Sequence, residues 1–266
     1  MSLETKKRSH DVTQPPRQPL AGRTCLVTGA SRGIGRGIAR ELGRYGATVV
    51  VNYRSSEAAA HEVADEITNA DTEGTGHPVQ ADVTDRAEIE TMREAVDDTF
   101  GEIDVLVNNA GINVDRTFEN MTAEDWHQVF DVSLHGAFNC TKTFYDDLKA
   151  ADDGRIINIS SVIGKQGNVG QANYAAAKSG LFGFTRSLAL ELAGTGTTAN
   201  CIAPGFTETE MVESIPDEVQ AELLEEIPVD RFATVEEVAG LVRYLADEQS
   251  GYITGEVIDV NGGIDL

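Results

Sequence analysis

Short apolar runs alternate with longer stretches of helical periodicity along this chain from residue 24 onward. The runs are Thr24–Thr28, Thr48–Asn52, Val79–Asp82, Val105–Asn108, Ile156–Ser160, Thr198–Ile202 and Val257–Val260. Parallel strands need crossover connections, which are usually helices, and strands covered on both faces are apolar along almost their whole length. The alternation therefore predicts an α/β fold with one doubly wound parallel sheet of about seven strands and helices on both faces.

The folded unit is predicted to span residues 21–266. Residues 1–20 carry early basic residues and then a Pro-rich polar stretch without the apolar core of a secretory signal, so a flexible tail is expected there. No apolar run approaches the roughly 18 residues that a membrane span requires. The acidic stretch 206–228 follows Pro204-Gly205 and interrupts the alternation, which predicts a lid over a substrate.

The charge balance excludes some classes of partner. The 44 Asp and Glu against 21 Lys and Arg give a net charge of −23, which argues against binding to nucleic acid or to anionic membranes. Only six of the basic residues are Lys. Such a surface is typical of proteins from salt-loving organisms, where counterions screen the repulsion, although an ordinary acidic cytoplasmic enzyme is the alternative.

The cysteines suggest neither a disulfide nor a metal site. Cys25, Cys140 and Cys201 lie far apart in apolar segments and form no C-x-x-C pair. They are expected to be small buried hydrophobes in a reducing cytoplasm.

The first strand leads directly into Gly29-Ala30-Ser31-Arg32-Gly33-Ile34-Gly35, and helical periodicity follows. Gly29 permits a tight exit from the strand, while Gly33 and Gly35 let the backbone approach a pyrophosphate at the positive end of a helix. An ordinary βα turn can carry such glycines. Their place after the first strand of an alternating chain favours a dinucleotide site of the Rossmann type, with Ser31 and Ile34 in the same turn.

Two arginines favour NADP(H) over NAD(H). The second strand ends at Asn52-Tyr53-Arg54, where an NAD site usually presents a carboxylate to the ribose 2′-hydroxyl. Arg32 and Arg54 are instead predicted to bracket a 2′-phosphate through charge-assisted hydrogen bonds, with Asn52 at the same strand end. The alternative is that both arginines are ordinary solvated surface residues.

Two further loops are expected at the nucleotide. Asp82-Val83, after the third run, is predicted to meet the adenine, and Asn109-Ala110-Gly111, after the fourth, to lie beside the ribose. Both follow strands at the edge where open α/β sheets bind their ligands.

A catalytic group is predicted where a strand ending in Ser160-Ser161 precedes a helix that begins Tyr174-Ala175-Ala176-Ala177-Lys178. The i, i+4 spacing places Tyr174 and Lys178 on one helix face, although such pairs are also common structural features. A free phenol titrates near pH 10, and a cation about 4 Å away is expected to lower that pKa by roughly three units. Tyr174 is therefore predicted to exchange a proton with a carbonyl oxygen held by Ser161, while a nicotinamide delivers hydride.

Together these motifs are similar to those of the short-chain dehydrogenase/reductase family. They are TGASRGIG at 28–35, NNAG at 108–111, Ser161, Tyr174-x-x-x-Lys178, and Pro204-Gly205 followed by Thr209. The resemblance covers residues 21–266. It implies that Lys178 also bonds the nicotinamide ribose and that the long helices help to build a homotetramer. It implies further cofactor contacts at Pro204, Gly205, Phe206, Thr207 and Thr209, and substrate contacts at Ser161, Gln171 and Tyr174.

Within that family, the segments 167–180 and 252–263 resemble the 3-oxoacyl-thioester reductases. Those enzymes act on β-ketoacyl carrier proteins or, in polyhydroxyalkanoate synthesis, on acetoacetyl-CoA, and the segment from 210–212 through 227–229 resembles the acetoacetyl-CoA enzymes in particular. In a salt-loving archaeon with isoprenoid lipids, a CoA thioester is the expected substrate. The resemblance thus implies NADPH-dependent reduction of a 3-oxoacyl thioester to the 3-hydroxyacyl thioester.

One position departs from the family pattern. Ser133, in Asp131-Val132-Ser133-Leu134, stands where the family usually has the Asn of a catalytic tetrad. A hydroxyl can hold a water but lacks the paired donors of an amide. Two alternatives stay open: a related enzyme acting on a sugar or small alcohol, because motifs encode the substrate pocket poorly, and a non-catalytic NADP(H)-binding regulator that lost its proton relay at Ser133.

Overall fold

Seven parallel strands form one sheet in the computed structural model, which describes residues 18–209, 212 and 216–266. The strands are β1 Thr24–Val27, β2 Thr48–Tyr53, β3 Thr75–Gln80, β4 Val105–Asn108, β5 Arg155–Ile159, β6 Thr198–Pro204 and β7 Val257–Val260. Their order is β3-β2-β1-β4-β5-β6-β7. The direction of winding reverses between β1 and β4, the switch point at which doubly wound sheets bind ligands. The predicted Rossmann-type fold is confirmed.

The position of β3 differs from the prediction of Val79–Asp82. The strand pairs with β2 from Thr75 to Gln80, and none of its residues is buried. An edge strand of this kind needs no continuous apolar run, and it tolerates Pro78 because one side of its backbone bonds no neighbour. The predicted run Val79–Asp82 therefore overlaps only the last two residues of β3, and Asp82 lies in the loop beyond the strand.

Ten helices of the described part of the chain surround the sheet. They are α1 Gly33–Arg44, α2 Glu57–Thr68, α3 Arg86–Phe100, α4 Ala123–Phe130, α5 Gly136–Thr143, α6 Tyr145–Ala150, α7 Ile163–Gln166, α8 Ala172–Leu192, α9 Asp217–Glu225 and α10 Val235–Ala246. A π-helical turn, Asp131–His135, joins α4 to α5. Turns of this type occur often at functional sites. No described helix has the length and apolar character needed to cross a membrane.

Two apolar clusters fill the space between the sheet and its helices. One joins α1, α2 and α10 to the strands, and the other joins α3, α5 and α8. Val49 and Val51 of β2 belong to the first cluster, whereas Val50 belongs to the second. Successive strand side chains point to opposite faces of a sheet. The helices therefore lie on both faces, as the apolar strands predict.

The fold includes residues that the sequence assigns to a tail. Leu20 is fully buried in the first cluster, and its N–H donates to the Tyr45 carbonyl. Gln18 accepts a hydrogen bond from the Glu73 N–H through Oε1 (3.1 Å). The expected boundary between residues 20 and 21 is therefore wrong by at least three residues, because one apolar residue after a Pro-rich stretch gives no periodic signal. The expected tail otherwise lies outside the described residues.

The predicted lid contains one described helix. Val212, Ile227 and Phe232 form a small apolar cluster against which Leu223 and Leu224 of α9 pack. Positions 210, 211 and 213–215 of the lid lie outside the described residues. The described part of the lid thus has its own apolar contacts next to the end of β6.

Candidate active site

The turn after β1 has the backbone geometry of a phosphate-binding loop. Gly29 and Gly33 both have positive φ, +61° and +54°, which side chains rarely adopt. A Cβ on Gly35 would collide with the Gly29 carbonyl. The N-terminal end of α1 begins at Gly33, and the preceding Arg32 makes no side-chain cap in the described structure. The first-turn N–H groups of α1 can therefore be bonded by an anion.

Polar side chains from neighbouring strands brace this turn. Asn109 donates through Nδ2 to the carbonyls of Thr28 (2.9 Å) and Gly29 (3.2 Å). The Thr28 hydroxyl accepts from the N–H groups of Asn109 and Ala110. Asn109, which was predicted to lie at the nucleotide, therefore supports the glycine turn through its side chain. Ala110 lies beside Gly29.

Asn52 has the same supporting role at the end of β2. Its buried side chain accepts from the Gly29 N–H (3.2 Å) and donates to the Ala81 carbonyl (3.0 Å). Ser31 is also buried, and Ile34 packs against the first apolar cluster. The structure thus places Asn52 behind the glycine turn, where it holds the loop that a nucleotide would contact.

The two arginines proposed for the 2′-phosphate are both exposed. The side chain of Arg54 is 62% exposed, and its Nη1 lies 3.8 Å from Asp82 Oδ2. Asp82 also accepts from the N–H and hydroxyl of Thr84. An exposed pair of this length contributes little to stability, so a phosphate could replace the carboxylate as the partner of Arg54. Val83, next to Asp82, is buried.

Ser161, Tyr174 and Lys178 come together at the carboxyl edge of β5. The Ser161 hydroxyl lowers the pKa of the neighbouring Tyr174 phenol, and its oxygen accepts from the Ile163 N–H (3.2 Å). The Lys178 ammonium is buried, donates to the Ile159 carbonyl (2.8 Å) and lies 5.6 Å from the centre of the Tyr174 ring. The three residues predicted from the motif spacing therefore form one group.

Burial shifts the pKa values of Tyr174 and Lys178 so that the neutral form of each side chain is favoured. It raises the pKa of Tyr174 above its ordinary value, more than Ser161 lowers it, and the Asp115 carboxylate raises it further. It lowers the pKa of Lys178 to about 8. The expectation that the phenol pKa would be lowered is wrong for this site, since the desolvation of the phenolate decides the direction of the shift.

Ser133 lies within the π-helical turn, beside the lysine. It is 2% exposed, and its Oγ has no hydrogen-bond partner among the described residues. A Cβ placed on Gly111 would stand 3.4 Å from Ser133 Oγ and 3.2 Å from Lys178 Nζ. Both polar groups therefore lie close to Gly111, on the side where a side chain would stand. An unpaired buried hydroxyl is costly, and this one can still take up a hydrogen bond.

The segment after β6 lies over the start of α1. The Pro204 carbonyl accepts from the Val162 N–H and the Gly205 N–H donates to Val260, which ties this segment to the sheet edge. Thr207 bonds the Gly205 carbonyl, and Phe206 packs near Phe232. Among the described residues, a Cβ on Gly33 would have Thr209 Cγ2 nearby, at 3.8 Å. The Thr209 side chain thus lies beside the glycine turn.

Gln171 is less free than its predicted substrate role requires. It is 9% exposed, donates through Nε2 to Asp115 Oδ1 (3.0 Å), and accepts from Asn168 Nδ2 (3.0 Å). Asn173, fully buried, donates to the carbonyls of Val114 and Asp125. Asp115 and Asn173 were not predicted from the sequence, because neither stands in a motif with a catalytic spacing. A polar residue inside the apolar start of α8 was the signal available for Asn173.

Known proteins with similar sequences identify the family of this chain. The sequence model of a family described as Enoyl-(Acyl carrier protein) reductase matches residues 29–265. The chain is 43% identical to the 3-oxoacyl-acyl-carrier-protein reductase FabG of Staphylococcus aureus over 242 residues, covering 91% of this chain and 98% of the relative. It is also 43% identical to the protein of that name from Escherichia coli over 243 residues, with 91% and 97% covered.

The chain belongs to the short-chain dehydrogenase/reductase family. It is accordingly an oxidoreductase, and enzymes of this family use a nicotinamide cofactor. The site fits such a cofactor: no described side chain caps the start of α1, a Cβ on Gly35 would collide with the Gly29 carbonyl, and Thr209 lies beside Gly33. No cluster of metal ligands occurs in the described part of the chain.

Proposed function

We propose that this reductase transfers hydride from NADPH to a 3-oxoacyl thioester and releases the 3-hydroxyacyl thioester. The observation that carries the proposal is the group of Ser161, Tyr174 and Lys178 between the glycine turn and the end of β6. Relatives of 43% identity are named for reduction of 3-oxoacyl groups on an acyl carrier protein. That name supports the carbonyl, rather than a carbon–carbon double bond, as the group reduced.

The protein residues supply the proton and hold the oxygen. The nicotinamide, when bound, supplies hydride to the carbonyl carbon. Ser161 donates a hydrogen bond to the carbonyl oxygen, and Tyr174 transfers its phenolic proton to that oxygen as the negative charge forms. The resulting phenolate is stabilised by the nearby ammonium of Lys178. Two electrons and one proton thus reach the carbonyl, and Tyr174 must then be reprotonated from solvent.

In this proposal Lys178 and Ser133 return that proton. A lysine whose pKa is about 8 exchanges protons readily near neutral pH, unlike one at the ordinary value of 10.5. Ser133 Oγ lies close to Gly111, as Lys178 Nζ does, and has an unused hydrogen-bonding capacity. A water bonded to this hydroxyl would extend the chain of proton carriers, in place of the family's Asn amide.

The preference for NADPH rests on Arg32 and Arg54. The strand end that carries Arg54 presents no carboxylate of its own to the ribose 2′-hydroxyl. Arg54 is exposed and only loosely paired with Asp82, so it is available to a 2′-phosphate.

We propose in addition that the protein forms a homotetramer in the cytoplasm. The exposed apolar side chains of Phe138 in α5 and Leu190 in α8 are the residues that contact with other copies would bury.

A substrate panel tests the proposed reaction. The values of kcat/KM are compared for acetoacetyl-CoA, a longer 3-oxoacyl-CoA and the same acyl groups on a carrier protein, each with NADPH and with NADH. Crotonyl-CoA is included to test for reduction of a carbon–carbon double bond, and simple sugars are included to test the alternative substrate class. We expect NADPH oxidation with the 3-oxoacyl thioesters. Turnover confined to crotonyl-CoA or to a sugar, or cofactor binding without any turnover, would overturn the proposal.

A further inference from the structure

The segment that follows β4 runs along the first turn of α8 and is bonded to it at three points. The bonds run from the Arg116 N–H to the Gly170 carbonyl (2.8 Å), from Gln171 Nε2 to Asp115 Oδ1 (3.0 Å), and from Asn173 Nδ2 to the Val114 carbonyl (3.0 Å). Tyr174 is the next residue along α8. Its N–H donates to Asn173 Oδ1 (2.8 Å). The position of the phenol is thus coupled to residues 114–116.

Asp115 makes the one charged contact of these three. Its carboxylate holds Gln171, whose amide oxygen is occupied by Asn168, so the Gln171 side chain is fixed at both ends. The Gln171 carbonyl accepts the first hydrogen bond of α8, from Ala175 (2.8 Å). Gln171 therefore defines where α8 begins. No side chain caps that helix start in the described structure, so its placement depends on such lateral contacts.

We propose that Asp115 is a positioning residue for the reductase, which acts through Gln171 to fix the start of α8 and with it the place of Tyr174 beside Lys178. The inference rests on the proposed function, because the placement of the phenol matters for catalysis only if Tyr174 is the proton donor. A displacement of a reacting group by about 1 Å costs as much as 100-fold in rate. Loss of the Asp115 contact is therefore expected to reduce kcat more than it changes NADPH affinity.

The charge of Asp115 has a second consequence that can be measured separately. The groups that act on Tyr174 are the Ser161 hydroxyl after β5, Lys178 of α8 and the Asp115 carboxylate after β4. Asp115 raises the pKa of the phenol, in the same direction as burial. A carboxylate at this position thus helps Tyr174 to keep its proton until the carbonyl oxygen becomes negative.

Two substitutions separate the contact from the charge. Asp115→Asn keeps an oxygen that can accept from Gln171 but removes the charge, whereas Asp115→Ala removes both. Glu119→Gln is the matched control. Glu119 is an exposed carboxylate on the same segment, and it accepts a hydrogen bond from Asn120 rather than from a residue of α8. Activity with acetoacetyl-CoA, NADPH affinity by fluorescence, and the thermal midpoint are measured for each protein across the alkaline pH range.

The expected results differ between the variants. Asp115→Ala should lower kcat at least about tenfold with little change in NADPH affinity. Asp115→Asn should keep most of kcat. The part of the alkaline limb above the ionisation of Lys178 near pH 8, which reports loss of the phenolic proton, should move to lower pH. Glu119→Gln should match the wild type. A wild-type kcat in Asp115→Ala, or an unmoved alkaline limb in Asp115→Asn, would overturn the inference.

A spectroscopic titration keeps this test independent of the substrate. Tyrosinate absorbance is followed against pH for the wild type and for Asp115→Asn, each minus its Tyr174→Phe counterpart, so that only Tyr174 contributes. The phenol should ionise at lower pH when Asp115 is neutral, and identical titrations would refute the charge effect even if Asp115→Ala fails to fold. Inactivity of the wild type toward every 3-oxoacyl thioester would instead count against the proposed function.

Discussion

Replacement of Lys178 by Met should make the protein more stable at neutral pH and less stable at pH 10.5. Lys178 is 3% exposed, and burial lowers its pKa from 10.5 to about 8. This difference of about 2.5 pKa units is equivalent to about 3 kcal/mol of free energy of unfolding. Met fills a similar volume without a charge. It gives up the hydrogen bond from Nζ to the Ile159 carbonyl, a loss of about 1 kcal/mol.

The pH range of the effect follows from the two protonation states. Below pH 8 the lysine is charged in both the folded and the unfolded chain, so the whole cost of burying the charge is present. Between about pH 8 and 10.5 the folded protein has released the proton while the unfolded chain still binds it, and stability rises with pH relative to the variant. Lys178→Met should therefore be about 2 kcal/mol more stable at pH 7 and about 1 kcal/mol less stable at pH 10.5.

Urea unfolding of the wild type and the variant at a series of pH values measures this difference directly. A constant high salt concentration and the subtraction of one protein from the other remove the charge effects that both share. Lys149→Met is the matched control, because Lys149 is exposed and its replacement should give no trend over the same range. A difference between wild type and Lys178→Met that does not change from pH 7 to 10.5 would show that burial does not depress the lysine's ionisation.

Four further outcomes are expected. Tyr174→Phe should lower kcat about 100-fold or more with NADPH affinity retained, and more than about a tenth of kcat under rate-limiting chemistry would exclude Tyr174 as the proton donor. Joint replacement of Arg32 and Arg54 by Ala should lower the ratio of kcat/KM for NADPH over NADH, and an unchanged ratio would exclude the 2′-phosphate contact. Activity and thermal midpoint should rise with KCl above about 0.5 M, whereas full values in dilute buffer would contradict the halophile hypothesis. The last outcome concerns kcat under conditions where a solvent isotope effect shows that proton transfer limits the rate. The kcat of Ser133→Asn should then stay within about tenfold of the wild type, and that of Ser133→Ala should be lower. Equal kcat values for Ser133→Ala and the wild type would show that Ser133 is only a packing residue.

The strands of the sheet interior were predictable because their signal is local. Buried parallel strands must be apolar throughout, so β4 was found with its observed bounds, Val105–Asn108. The edge strand β3 escapes this rule, since its burial depends on a position in the sheet that only the finished topology determines. Leu20 was missed for a related reason: a single apolar residue is informative only once its neighbours in space are known.

The candidate site was predictable to the extent that its geometry follows from spacing. Two residues four apart on a helix share a face in any structure, so Tyr174 and Lys178 had to be neighbours. The direction of the phenol's pKa shift depends on a balance between burial and nearby charges, and that balance needs the three-dimensional surroundings. The contact between Asp115 and Gln171 joins residues that are 56 apart in the sequence, and no motif records it.

Burial acts on the two titrating side chains of the site with opposite chemical results, and the reductive direction benefits from both. It keeps the proton on Tyr174 and makes Lys178 release its proton more easily than a surface lysine. Negative charge then forms on the substrate oxygen next to the protonated phenol of Tyr174. The charged ammonium of Lys178 lies nearby and is poorly solvated by water. Such an ammonium interacts more strongly with a nascent anion than it would at the surface. The cost of burying Lys178 and the stabilisation of the transition state are therefore two effects of one property, the exclusion of water from the end of β5.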